Sequence, residues 1–242
     1  MQNENKNKLD LIFHGAVNAT GGVYNKVDVQ GYGKINGDVE CESLHCAGHV
    51  SITGDLIGSS ARVEGNASIK GKVKMDTLSV YGQLDVADDL NFTSLKVGGN
   101  VKVQGNMAGE DVKVHGSLKT AGDCEAEVFR ANGAFSIGGL LNAGRIEVIL
   151  HGSCEAKEIG GEYIEVRRTG NSTLGKLLKH FLNNTLTVET IEGDEIYLEN
   201  TKAKVVRGNK VEIGPDCEID LVEYSTECKQ DQSSQIKTLT QR

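Results

Sequence analysis

The sequence predicts an all-β chain wound into a parallel β-helix, a triangular solenoid of 17-residue coils. Three observations predict it. Gly31, Gly48, Gly65, Gly82, Gly99, Gly116 and Gly133 recur every 17 residues. A second rail runs six residues behind, at Gly37, Gly54, Gly71, Gly105, Gly122 and Gly139, with Asp88 the one exception. Between the rails, apolar residues come in pairs spaced by two, as in Ala61 and Val63, Ala67 and Ile69, Val73 and Met75. A spacing of two is a strand with one buried face. The glycine rails mark two corners, where positive φ is easiest without a Cβ. A third corner carries small or polar residues: Ser43, Ser60, Thr77, Ser94 and Asp111.

Taken in order, residues 1–10 read as a disordered, polar N-terminus. The main β-helix follows over 11–168. Its first coil is one residue short, so that Leu11, Phe13, Val17 and Val23 align with Val27, Val29, Gly33 and Val39. Residues 169–185 break the pattern. Leu174, Leu177, Leu178, Phe181 and Leu182 form the stripe of a short inserted amphipathic α-helix, a docking face for the solenoid or for a partner. Strand alternation resumes over 186–224 as a second, smaller β-helical lobe. Residues 225–242 read as a flexible tail.

Composition bounds the function. A net charge of −8 argues against nucleic acid as a partner. No apolar run approaches the length of a membrane span, and no signal peptide is visible. Of the six cysteines, Cys41, Cys46, Cys124, Cys154 and Cys217 fall on inward positions and read as small apolar fillers in a reducing cytoplasm. Cys228 stands alone in the polar tail.

The search for chemistry returns little. No cysteine or histidine spacing matches a metal site, and no phosphate-binding loop of the form G-x-x-x-x-G-K-[ST] occurs. The expectation is no catalytic residue, no cofactor and no metal. Arg62, Lys96, Lys113 and Arg130, with Lys102 and Lys119 on a second face, form a modest basic stripe, with acidic neighbours to balance it. The first coil has too few residues ahead of it for a good cap. Leu11, Phe13, Val17 and Val23 are therefore expected to form an assembly end.

The coils, as in VEGNASIKGKV and VYGQLDV, resemble the bactofilins, bacterial polymer-forming cytoskeletal proteins. The segment IYLENTKAKVVRGNKVEIGPDCEIDLVEY is similar to the C-terminal part of longer Bacillus-type members. The resemblance implies a right-handed helix that polymerises end to end without nucleotide. It implies a cytoplasmic scaffold for cell shape, wall enzymes or flagellar assembly, whose partners are copies of itself, envelope or flagellar proteins, or the membrane periphery. Two features depart from the family: the inserted segment, and MQNENKNK where many members carry a short apolar membrane-targeting peptide. The other readings are a β-helix enzyme of acyltransferase or polysaccharide-lyase type, and an adaptor docking a partner through 170–184. The uninterrupted coils from 27 to 145 lack the catalytic loops of such enzymes.

Overall fold

The computed structural model describes residues 8–169 and 184–242. They are all-β, and every described strand pairing is parallel. The expected helix and its stripe (Leu174, Leu177, Leu178, Phe181, Leu182) lie outside the described residues. The chain divides into two compact units, Met1–Met107 and Ala108–Arg242, each a β-solenoid.

The N-terminal unit holds β1 (Leu9–Phe13), β2 (Ala16–Val29), β3 (Tyr32–Cys46), β4 (His49–Ile52), β5 (Leu56–Val63), β6 (Asn66–Ile69), β7 (Val73–Val80), β8 (Gln83–Val86), β9 (Leu90–Val97) and β10 (Asn100–Val103). The short β11 (Met107–Ala108) sits at the division. Coils stack in register: Leu56, Ala61 and Val63 on β5 lie over Val73, Leu78 and Val80 on β7. The inward columns are buried as the alternation requires, with Val29, Ile35, Val50 and Ile52 wholly inaccessible. The third corner lies inside the eight-residue strands. In β5 two successive outward residues, Ser59 and Ser60, mark the bend.

The glycine rails have a different cause from the expected positive φ. Among the described glycines only Gly37 has one, at 107°. Most of the other rail glycines stand where stacked coils touch. A Cβ on Gly48, Gly65, Gly82 or Gly99 would land on the carbonyl oxygen of the first-rail glycine one coil below. The second rail pairs with aspartate. Asp38, Asp55, Asp89 and Asp123 each accept, through Oδ1, a backbone N–H of the next coil, from Asp55, Lys72, Asn106 and Leu140 at 2.7–2.9 Å. That oxygen occupies the place where a Cβ on Gly54, Gly71, Gly105 or Gly139 would sit. The exception explains itself: the coil below Asp88 carries Lys72 at the aspartate position, so no carboxylate fills the space.

The C-terminal unit holds β12 (Asp111–Val114), β13 (Ser117–Thr120), β14 (Cys124–Ala131), β15 (Ala134–Leu150), β16 (Cys154–Arg168), β17 (Leu186–Leu198), β18 (Thr201–Ile213), β19 (Glu218–Gln230) and β20 (Gln235–Gln241). From β15 on, one strand wraps most of a coil. Here the expected boundaries change. β16 and β17 pair directly from Cys154↔Leu186 to Val166↔Leu198, so 186–224 continues the same solenoid and is no separate lobe. Residues 225–242 are no flexible tail either. Ser225–Gln230 completes β19, and β20 pairs with it from Glu218↔Gln235 to Tyr224↔Gln241. Nor is the N-terminus disordered up to residue 10, since β1 begins at Leu9.

The five inward cysteines are buried free thiols, and Cys228 is half-buried. Burial pushes the Cys124 thiol up to about 12, which keeps it protonated and unreactive at neutral pH.

Candidate assembly surface

The N-terminal edge of the first unit is built from β1 and the first half of β2. β1 pairs on one side with β2, through Leu9↔Tyr24 and Leu11↔Val27 to Phe13↔Val29. Among the described residues it has no second partner. Ala16–Thr20 pairs with Tyr32–Asn36 and is likewise open on its other side. A strand edge of this kind presents unpaired N–H and C=O groups to any chain that can add to it.

Four apolar side chains line this edge: Leu9 (74% exposed), Ile12 (49%), Val17 (38%) and Val23 (51%). Of the expected end residues, Val17 and Val23 lie there and Leu11 is half-buried. Phe13 is not on the surface. It is wholly buried, with its ring against Gly33. Position 33 falls in a column of Val50, Ala67 and Leu84, and its glycine leaves the volume that Phe13 fills.

Val23 is exposed but does not line the core. The register slips by one between Thr20 and Gly22, so Val23 opposes outward Glu40 instead of Val39. The slip is a bulge on β3: Gly37, at its positive φ, and Asp38 together face the single Gly21, whose bare Cα admits the Asp38 backbone. Leu9 and Ile12 were missed by alternation alone. For Ile12 the signal was an apolar residue at an outward position, between inward Leu11 and Phe13, whereas Leu9 shares their parity and is exposed because the register shifts between Leu9 and Leu11.

The last coil of the C-terminal unit also has an open edge among the described residues, since β20 pairs only with β19. It is more polar. Leu239 is half-exposed, Ile236 and Cys228 are half-buried, and Gln235, Lys237, Thr238, Thr240 and Gln241 are exposed.

Three residues of the basic stripe, Arg62, Lys113 and Arg130, are neutralised within their own unit. In the first, Arg62 binds Glu64 at 2.5 Å and lies over the Tyr81 ring, with Lys96 on the same ring. In the second, Lys113 binds Asp111 at 2.6 Å and Arg130 binds Glu147 at 2.8 Å. A groove of about 640 Å³ runs along one face of the second unit. Its wall is an ion-pair ladder, Lys204–Glu189, Lys202–Glu218 and Lys237–Asp220. Among the described residues no group of three or more His, Cys, Asp or Glu side chains is placed to hold a metal ion. No described helix is long and apolar enough to cross a membrane.

The chain is 55% identical over 232 residues to the uncharacterized protein YhbE of Bacillus subtilis (strain 168), covering 95% of this chain and 97% of that protein. It belongs to the YhbE family. The uncharacterized protein YhbF of the same organism is 46% identical over 103 residues, 42% of this chain and 41% of that protein. No family model matches the chain. No solved structure matches it either.

Proposed function

We propose that this chain is a non-enzymatic, bactofilin-like scaffold that assembles end to end without nucleotide, using solenoid edges as its contacts. The observation that carries the reading is the N-terminal edge, where a strand with one side unpaired among the described residues and four exposed apolar side chains coincide. Fully burying one such side chain stabilises a contact by about 1.5–3 kcal/mol. Association costs about 4–15 kcal/mol in lost freedom. Apolar burial at this edge alone therefore roughly breaks even, and strand pairing across the edge supplies the surplus and the orientation.

The proposal extends to location and role: a cytoplasmic polymer that touches the membrane periphery through partners and supports envelope or flagellar structures. The test is light scattering and negative-stain microscopy of the purified chain without nucleotide, beside a Leu9→Arg/Val17→Arg variant. Wild type should form elongated species, and the variant should fall to small ones. A wild type that holds one-subunit mass at all concentrations, or a variant that assembles like wild type, overturns the reading.

A further inference from the structure

Asp28 lies at an outward position of β2, between inward Val27 and Val29, yet it is only 7% exposed. Ile12 stands opposite it on β1. Its Oδ2 accepts from Lys26 Nζ at 2.6 Å. Its Oδ1 is buried and has no hydrogen bond, the one such side-chain atom among the described residues. A buried carboxylate oxygen without a donor is costly, and its position asks for one.

The donor that faces it is His45 on β3, one coil on. Nδ1 stands 3.4 Å from Asp28 Oδ1, not yet aligned as a hydrogen bond. The other ring nitrogen, Nε2, faces Glu64 Oε2 on β5 at 3.2 Å. Glu64 mirrors Asp28: its Oε1 is taken by Arg62, at 2.9 Å from Nε. Each carboxylate thus gives one oxygen to its own cation and leaves the other to the imidazole. A neutral imidazole has one N–H and can serve only one of them, whereas the imidazolium serves both.

The charged groups facing the ring are Lys26 and Asp28 from β2 and Arg62 and Glu64 from β5, with Asp10 on β1 acting on Lys26. Hydrogen bonds from Lys26 and Arg62 hold the Asp28 and Glu64 carboxyls below their ordinary values. Both are therefore charged acceptors throughout the range where imidazoles titrate.

We propose that His45 is a proton-operated clamp: on taking a second ring proton it donates to Asp28 and Glu64 together and ties β2, β3 and β5 across three successive coils. The consequence lies beneath β1, since Ile12 covers Asp28. Proton uptake steadies the coil on which the N-terminal edge is built.

The test is amide hydrogen exchange on the full chain at pH 8 and pH 6, corrected for intrinsic rates. It is run at the dilution where scattering reads the smallest species, so that a failed edge contact and a failed clamp read separately. Protection of the β1–β2 and β2–β3 amides around Val29 should rise at least ~3-fold on acidification in wild type and stay flat in His45→Gln. Flat protection in wild type, or an undiminished rise in His45→Gln, overturns the clamp. The imidazole nitrogen spectrum of the wild-type protein at pH 6 gives a check that needs no variant. Two bonded N–H signals support the proposal, and a ring with one N–H overturns it.

Discussion

The N-terminal unit and the late coils of the C-terminal unit place their corner glycines differently. In the N-terminal unit a Cβ on Gly48, Gly65, Gly82 or Gly99 would collide with backbone of the coil below. Late in the C-terminal unit the glycines lie elsewhere. Gly161, Gly193 and Gly208 stack inside the long strands β16, β17 and β18. A Cβ on Gly161 or Gly193 would also meet backbone, the carbonyl oxygen of Ala143 or of Gly161, whereas one on Gly208 would come 3.0 Å from the Gly193 carbonyl oxygen and 2.9 Å from a Val211 methyl group. The N-terminal coils keep a 17-residue step, as from Leu56 to Val73, whereas the late coils drift, and the registers there step by 15 residues from β17 to β18 and 16 from Lys202 to Glu218.

The largest test of that contrast is alanine at each kind of corner. Gly65→Ala should cost about 4 kcal/mol or more, because a Cβ there would overlap the Gly48 carbonyl oxygen and only backbone can yield, while Gly208→Ala should cost about 1 kcal/mol, because the Gly193 carbonyl oxygen stays 3.0 Å away and the nearer Val211 methyl group can turn aside. Chemical denaturation of the two variants reads the difference, and equal losses would dissolve the distinction.

Next in size is the exchange between Phe13 and Gly33. Phe13→Ala should cost about 3–5 kcal/mol by leaving a cavity. Gly33→Val should cost about 1–3 kcal/mol by overpacking. The double variant Phe13→Val/Gly33→Val should recover part of both losses. A double-mutant cycle with no coupling would mean that the two positions do not share one volume.

Removing an aspartate cap is smaller. Asp55→Ala should cost about 1 kcal/mol by stripping the acceptor from the Lys72 N–H. Urea midpoints read this loss.

Smallest is the acid response of Asp89. The Asn106 backbone N–H, then Lys72, hold its carboxyl below the ordinary 3.8. A depressed folded value means that its contribution is whole above about pH 4 and is lost as pH falls through the folded value. Asp89→Asn should therefore melt below wild type at pH 6, with the gap narrowing as pH falls below 3.8. A gap that does not narrow at all on acidification would assign the loss to shape instead of charge.

Much of this was legible before any coordinates. The inward columns Val29, Ile35, Val63, Val97 and Ile137 were placed by alternation, because a strand reports at each second residue which side is dry. The five core cysteines were placed the same way. The last coil was not, because its inward positions are filled by Cys228, Gln230, Ile236 and Leu239, spread among threonines and glutamines. With so few apolar residues, alternation fades, and only pairing with β19 reveals the strand. The edge was read in part: Val17 and Val23 belong to it, Phe13 does not, and Ile12 announced itself only by facing outward.

The sequence by itself determined the repeat, the strands and the identity of the core, since each depends on a residue and its near neighbours along the chain. Only the tertiary structure decided why the corners are glycine, where the first coil slips at Gly21, and that Asp28 is buried beside His45. Those depend on the distance between residues 16 or 17 apart in stacked coils, which no local pattern encodes.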